Sequence, residues 1–210
     1  GNHYFIEMNP RIQVEHTVTE MVTGIDIVQA QILIAQGYRL DSEEINIKSQ
    51  EDIKQNGYAI QCRVTTEDPA NNFAPDTGKI DIYRTGSGFG VRLDGGNGFT
   101  GAVISPYYDS LLVKVISHGR TFNDAINKNS RALKELEVHG VKTNIGFLLN
   151  VLNHDTFKKG QCNTGFIADN PSLLNVRGGE DKELKVLNYI GNVVVNETKG
   201  VKSQFDVPRV

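Results

Sequence analysis

The first residues carry the clearest alternation in the chain. From Phe5 to Glu15 the even positions Ile6, Met8, Ile12 and Val14 are apolar, while Glu7, Asn9, Arg11, Gln13 and Glu15 at the odd positions are polar. A period of two marks an extended segment and puts the five polar heads on one side. Pro10 removes a backbone donor, so the expected strand loosens into a loop near Asn9–Pro10 instead of continuing as a central strand. Thr17 with Glu20, and Thr23 with Asp26, have the spacing in which a hydroxyl and a carboxylate satisfy the first free N–H groups of a helix, so helices are expected to start at both. The second is expected to run to about Gln36, with Ile25, Val28, Ile32 and Ala35 as its apolar stripe and Gly37 as its left-handed terminator.

From Leu40 to Gly57 the chain is polar and charged, and a domain boundary is expected there. Beyond it Tyr58–Thr66, Lys79–Thr85, Gly90–Leu93 and Leu111–Ser117 read as short strands separated by Gly, Pro, Asn and Asp, which predicts an antiparallel sheet. Phe122, Ala125, Ile126, Asn129, Leu133 and Leu136 mark an amphipathic helix stopping near His139–Gly140, and Ile145–Leu152 a further helix. The glycine runs Gly86–Gly90 and Gly95–Gly98 precede no convincing helix and are read as hairpin turns, not phosphate-cradling loops. A short helical pattern around Glu183–Tyr189 precedes a Gly-, Lys- and Pro-containing end.

Composition narrows the function classes. The chain has 210 residues, 39% hydrophobic and 22% charged, enough for one large domain or two small ones in a soluble protein. A net charge of -3 without a basic stripe argues against nucleic acid and membrane surfaces as partners, and no apolar run is long enough to cross a bilayer. Cys62 and Cys162 lie far apart and outside any C-x-x-C pattern, so neither a disulfide framework nor a zinc site is expected, and a reducing cytosol or mitochondrial matrix fits. The chain opens on Gly1 and enters a strand-like run at His3, which reads as a fragment of a longer protein.

The polar row carries the candidate chemistry. Glu7 and Asn9 can offer two hard oxygens to one Mg²⁺. Arg11 provides a planar fork for a small oxyanion, Gln13 another donor, and Glu15 a carboxylate able to take a proton from what the arginine holds. The same alternation also fits a half-exposed strand with mixed charges on its outer face. Arg63 has two readings as well, a guanidinium placed where negative charge develops or a strand arginine paired with Glu67 or Asp109. Asp109 follows Pro106-Tyr107-Tyr108 and either orients Arg63, touches substrate or caps a turn. His16 has no second histidine at ligand spacing and is assigned a hydrogen-bonded structural role, as are His118, His139 and His154. Arg92 is read either as a subunit contact or as a solvated strand arginine.

The string Tyr4-Phe5-Ile6-Glu7-Met8-Asn9-Pro10-Arg11-Ile12-Gln13-Val14-Glu15-His16, followed by Thr17-Val18-Thr19-Glu20 and Thr23-Gly24-Ile25-Asp26, closely resembles the signature of biotin carboxylases. The resemblance continues at Gln61-Cys62-Arg63-Val64, Glu67-Asp68-Pro69, Phe73-Ala74-Pro75, Gly78-Lys79-Ile80, Tyr107-Tyr108-Asp109-Ser110 and Gly140-Val141-Lys142-Thr143-Asn144. Pro10 after Asn9, Thr17 after His16 and the Phe166-Ile167 to Asn170-Pro171 stretch resemble the pyruvate carboxylase branch more than acetyl-CoA carboxylase subunits. The resemblance implies an α/β (α+β) chain: the carboxyl-terminal part of an ATP-grasp domain over residues 1–48, a biotin carboxylase C-terminal domain with antiparallel sheet and packed helices over 49–170, and an extension toward a further domain over 171–210. It implies an enzyme that converts bicarbonate and ATP to carboxyphosphate and carboxylates biotin at N1′, the biotin being carried covalently on a separate carrier domain. Glu7 and Asn9 then match Mg²⁺ (or Mn²⁺) ligands, Glu7 lying also at the ATP. Arg11, Gln13 and the Val14 N–H match the bicarbonate site, Glu15 the general base, Arg63 the arginine that stabilises the biotin enolate, and Asp109 a secondary position at biotin. The family's remaining ATP-binding residues lie in an upstream half, so the chain alone is expected to be inactive, and the resemblance implies a homotetramer of much longer chains.

Overall fold

A computed structural model of the chain describes residues 2–176 and 189–191. Apart from Tyr189, which is helical, the helix expected around Glu183–Tyr189 and most of the extension over 171–210 lie outside the described residues. Residues Gly1–Asn175 form one compact unit and Val176–Val210 a second.

In chain order the first unit contains helices α1 (His16–Thr23) and α2 (Ile27–Ala35), then β1 (Tyr58–Thr65), β2 (Glu67–Asp68), β3 (Ala74–Pro75), β4 (Gly78–Lys79), β5 (Ile82–Arg84), β6 (Val91–Gly95), β7 (Val103–Ile104) and β8 (Leu111–Gly119). Helix α3 (Phe122–Glu135), β9 (Glu137–His139), α4 (Ile145–Asn153), α5 (Asp155–Lys158) and α6 (Phe166–Asp169) follow. The main sheet is antiparallel with order β1-β8-β6, and β2 pairs with β3, β4 with β7 and β5 with β9. β8 is central because its apolar residues populate both faces: Leu112, Val113, Val115 and Ile116 are all fully buried. β1 alternates, burying Ile60, Cys62 and Val64.

One face of this sheet is covered by α3, whose start is fixed by a capping box between Thr121 and Asp124. Ala125, Ile126, Ala132 and Leu133 join Ile60, Cys62, Val64, Val113 and Val115 in one apolar core. Asn129 sits in the middle of that helix face. Its Nδ2 donates to the carbonyls of Ile60 and Val115 at 3.0 and 3.2 Å, which explains a polar residue in an otherwise apolar stripe. The opposite face carries α1, tied to β1 by the Thr17 hydroxyl donating to the Gln61 side chain.

Several elements differ from the sequence expectations. Residues 5–15 form no strand, and Phe5, Ile6 and Met8 are exposed. A strand needs a hydrogen-bonded partner, and among the described residues none lies beside this segment; instead the Arg11 N–H closes back on the Asn9 carbonyl at 2.8 Å around the fixed φ of Pro10. The Thr17/Glu20 capping box is not formed, because α1 begins at His16 and leaves Thr17 inside the helix with its hydroxyl turned to the sheet. α2 is capped by Asp26 itself, whose carboxylate accepts from the Gln29 N–H at 2.7 Å, while Thr23 bonds back to Thr19. The expected strand Lys79–Thr85 is split by Ile80 and Asp81 into β4 and β5, which belong to different sheets, because the buried Ile80 exchanges hydrogen bonds with Gly101 and Ala102. α3 ends at Glu135, and the following residues extend into β9. Neither glycine run makes a hairpin: β5 and β6 lie in different sheets, and β6 pairs with β8, not with β7.

Burial leaves the two cysteines chemically distinct. Cys62 is buried in β1, which pushes its thiol up to about 12, whereas Cys162 is exposed. Since the thiolate is the nucleophile, an alkylating reagent at neutral pH is expected to label Cys162 in the folded protein and Cys62 only after denaturation. Mass spectrometry of the labelled peptides checks this, and comparable labelling of both in the folded state would show that β1 is not held shut.

Candidate functional site

The register of the sheet decides which side chains meet. Residues paired across antiparallel strands project from the same face. Arg63 pairs with Lys114 and Lys114 with Asp94, while Gln61 pairs with Ile116 and Ile116 with Arg92. Because Ile60, Cys62 and Val64 point into the α3 core, Gln61 and Arg63 must point toward α1. The face opposite the core therefore carries Arg63, Lys114 and Asp94 in one row and Gln61, Ile116 and Arg92 in the next.

A chain of ion pairs fastens α1 and the turn before it to this face. Arg92 donates from Nη1 to Glu20 Oε2 at 2.6 Å and from Nε and Nη2 to the two oxygens of Asp94 at 2.8 and 3.2 Å. Lys114 Nζ lies 3.2 Å from Asp94 Oδ2 and 3.5 Å from the carbonyl of Val14. Glu20, buried in α1, also accepts from the N–H of Ile27 at 2.9 Å, which ties the start of α2 to the same group. Burial pushes the Asp94 carboxyl up, but the hydrogen bonds and charges of Arg92 and Lys114 together outweigh it and hold the group below the usual carboxylate range. The hydrogen bonds that Arg92 donates to Asp94 raise its own pKa in turn, against its partial burial. Arg92 is thus an internal clamp, not a solvated strand residue.

The polar row divides into a free part and an anchored part. Glu7, Asn9 and Arg11 are exposed; Arg11 Nη1 reaches only the neighbouring Ile12 carbonyl at 3.4 Å, and Gln13 Nε2 folds back on the carbonyls of Arg11 and Asn9 at 3.2 and 3.4 Å. Val14 is anchored by Lys114, and His16 by its Nδ1 against the Gln13 carbonyl at 2.7 Å, with Nε2 3.8 Å from Glu20. The Val14 N–H meets no acceptor among the described residues. Between these anchors Glu15 stands as the N-cap of α1, and its Oε2 lies 3.8 Å from Nη2 of Arg63. The carboxylate that pairs with Arg63 is therefore Glu15, not Glu67 or Asp109.

Beside this pair opens a cavity of about 410 Å³, lined by Val14, Gln61, Cys62, Arg63, Thr65, Glu67, Asp109, Ser110, Leu111, Asn144 and Leu148. Glu67 is held in it by the hydroxyls of Ser110 and Thr65 at 2.9 and 3.0 Å. Asp109 caps its own turn, its Oδ1 accepting from the Leu111 N–H at 2.9 Å, and does not reach Arg63. A larger cavity of about 660 Å³ lies between α2 and residues 38–53, but it is mostly apolar and its one charged pair, Arg39 with Asp41 at 2.8 Å, is already satisfied. The smaller cavity is the one that the Glu15–Arg63 pair borders. Sequence reasoning missed Lys114 and Asp94, although a lone lysine in the apolar run Leu111–Ser117 and an acid two positions after Arg92 were readable signals. It also missed any role for Asn144.

Residues 61–169 match the family model described as the biotin carboxylase C-terminal domain, and residues 1–43 match the ATP binding domain of the carbamoyl-phosphate synthase L chain. The pyruvate carboxylase of Bacillus subtilis is 58% identical over 209 residues, covering 98% of this chain and 18% of its own length. Human mitochondrial pyruvate carboxylase is 56% identical over 196 residues, covering 93% of this chain and 16% of its own. The crystal structure of a complete multifunctional pyruvate carboxylase from Rhizobium etli superposes with a TM-score of 0.83 at 51% identity, over 92% of this chain and 18% of that one. The biotin carboxylase domain of the 2-oxoglutarate carboxylase of Hydrogenobacter thermophilus, solved with MgADP, ADP and bicarbonate, gives 0.77 at 45% identity, over 83% of this chain and 37% of that one. The chain spans less than a fifth of the length of these curated relatives.

The clamp has a pH signature. A carboxylate whose folded pKa is depressed contributes stability above its unfolded value of about 3.9 and loses it as pH falls through the folded value. Asp94→Asn is expected to lower stability by about 1–2 kcal/mol at neutral pH, and the gap to wild type should shrink as pH falls below the unfolded value of about 3.9 and through the lower folded one. Urea unfolding of both proteins across pH checks this; a gap that is constant with pH would mean that Asp94 acts through packing and not through its charge.

Proposed function

The chain belongs to the biotin carboxylase family, and from that premise we propose that it supplies part of an ATP- and bicarbonate-dependent site that carboxylates biotin at N1′, as the first half-reaction of a pyruvate carboxylase. The observation that carries the reading is the approach of Glu15 to Arg63 at 3.8 Å, beside a cavity with polar walls.

In this reading the Arg11 guanidinium holds bicarbonate, with Gln13 and the unengaged Val14 N–H as further donors. Glu15 takes the proton of bicarbonate, whose oxygen then attacks the terminal phosphorus of ATP, releasing ADP and giving carboxyphosphate. Carboxyphosphate breaks down to carbon dioxide and phosphate. Arg63 presents a fixed positive charge where negative charge develops, and a planar guanidinium that cannot lose its proton suits that task better than an ammonium. Both side chains of the Glu15–Arg63 pair are more than half exposed, at 64% and 54%, so the pair opens at little cost when substrate enters between them. Biotin, on its carrier domain, would give its N1′ proton to the phosphate that carboxyphosphate releases, leaving negative charge on the ureido oxygen opposite Arg63 and a nitrogen that accepts the carbon dioxide; Asp109 on the cavity wall is a secondary contact to it.

The donor chemistry of Glu7 and Asn9 suits Mg²⁺ or Mn²⁺: two hard oxygens, two residues apart, leaving positions for substrate phosphates. Bound there, the ion would neutralise phosphate charge. Two oxygens do not make a nucleotide site, and the exposed Phe5, Ile6 and Met8, together with Val28, Ile32 and Ile34 of α2, offer an apolar face for the remainder of an ATP-grasp domain. The chain alone is accordingly expected to be inactive. A second reading, another ATP-grasp ligase, draws on the match of residues 1–43, but the biotin carboxylase match over residues 61–169 contains Arg63 and every residue lining the cavity except Val14, and favours the first.

The test is bicarbonate-dependent ATP cleavage by the full-length enzyme carrying this sequence, with and without free biotin. Glu15→Gln is expected to lower the bicarbonate-dependent rate by about 10²-fold or more, and Arg63→Ala the biotin-dependent rate by about 10²–10³-fold, with circular dichroism unchanged. Near wild-type rates in both variants would sink the reading and leave an exposed strand-like segment with mixed charges.

A further inference from the structure

We propose that Asn144 is a positioning residue for Arg63, a role that rests on the function given to Arg63 above. Asn144 occupies the N-cap of α4, where an asparagine side chain normally accepts from its own helix, yet it makes no such bond. Both halves of its amide are spent on β1 instead. Nδ2 donates to the carbonyl of Arg63 at 3.0 Å, and Oδ1 accepts from the N–H of Thr65 at 3.0 Å. The Asn144 N–H adds a third bond, to the Thr65 carbonyl at 3.2 Å.

These bonds fall where the sheet cannot supply its own. The β1–β8 register runs without interruption to Val64↔Val113 and then shifts, so that Thr65 faces Leu111. The shift passes over Leu112, so the extra residue lies in β8 and the ladder beside β1 is disrupted just beyond Arg63 and Val64. The buried Asn144 amide imitates a strand on the open edge of β1 and fixes the peptides on both sides of Val64, and with them the direction in which Arg63 leaves the sheet. Its own placement is rigid, because the N–H of Lys142 donates to Asp76 and Nζ of Lys142 to Asp68, each at 2.6 Å. Asn144 lines the same cavity as Arg63 but reaches it only through backbone, so it touches the reaction indirectly.

Asn144→Asp tests this in the full-length enzyme. It keeps volume and the acceptor for Thr65 but sets an oxygen against the Arg63 carbonyl. We expect the biotin-dependent rate to fall about tenfold or more, since a displacement of about 1 Å at a catalytic group is costly, while bicarbonate-dependent ATP cleavage without biotin stays within about twofold. In an Arg63→Ala background the same change should cost nothing further, because residues acting as a unit are not additive. Should Asn144→Asp fail to fold, Asn144→Ser, which retains an acceptor, serves for the same comparison. Losses that add to those of Arg63→Ala, or that strike both activities equally, overturn the positioning role, as does an unchanged biotin-dependent rate. If Arg63→Ala is itself without effect, it is the function assigned to Arg63 that fails.

Discussion

The site depends on one register, the pairing of β1 with β8 that sets Arg63 opposite Lys114. Side chains alternate across a strand, so a slip of one residue would turn Arg63 into the α3 core and bring Cys62 and Val64 to the open face. Burying a guanidinium without a partner among Val113, Val115 and Leu133 would cost far more than any local gain, and the apolar core therefore enforces the position of the charged residue. Two further features pin the register: β8 is apolar on both faces, and Asn129 grips carbonyls of β1 and β8 at once. The site inherits its geometry from hydrophobic packing on the side it does not face.

On the open face electrostatics takes over. A buried carboxylate such as Glu20 is tolerable only when its oxygens are satisfied, and Arg92 and the Ile27 N–H share that task. Arg92 and Lys114 in turn meet on Asp94, and Lys114 reaches the Val14 carbonyl. The backbone just before Glu15 is thereby held by a lysine that stands next to Arg63 in the sheet. Glu15 and Arg63 approach each other because both are fastened to the same two strands, although they belong to segments far apart in sequence.

Much of this was legible in the chain. Period-two burial at Ile60, Cys62 and Val64 and the apolar stripe of α3 follow directly from residue pattern, since one element and one face decide them. The candidate site residues were legible as residue types and through the long motif around Glu15, and the structure brings Glu15, Val14, Arg63 and Asp109 to one cavity or its rim. What could not be read depends on pairs. The Thr17/Glu20 spacing fits a capping box, but Thr17 has a better acceptor in Gln61 and Glu20 a better donor in Arg92, both from strands that no local pattern brings near. The glycine runs looked like hairpins because turn chemistry is local, whereas the choice of partner strand is not.

The same distinction explains the segment before Glu15. Its alternation is as clean as that of β1, yet β1 is a strand and residues 5–15 are not, because extended backbone becomes a strand only when another chain segment takes up its N–H and C=O groups. The alternating segment, with Ile6 and Met8 facing solvent, finds no such pairing among the described residues. Position therefore divides along the polar row: Val14 and Glu15 are held against this chain's own sheet and His16 against the turn before α1, whereas among the described residues Glu7, Asn9 and Arg11 have only bonds to near neighbours or none. In the proposed scheme the division is chemical too, for the anchored Glu15 serves proton transfer and the unanchored residues serve metal, phosphate and the anion, which the Val14 N–H meets at the boundary between them. The proton-transfer end of the site can be built by one compact unit, while the nucleotide end must be completed by whatever pairs with residues 5–11.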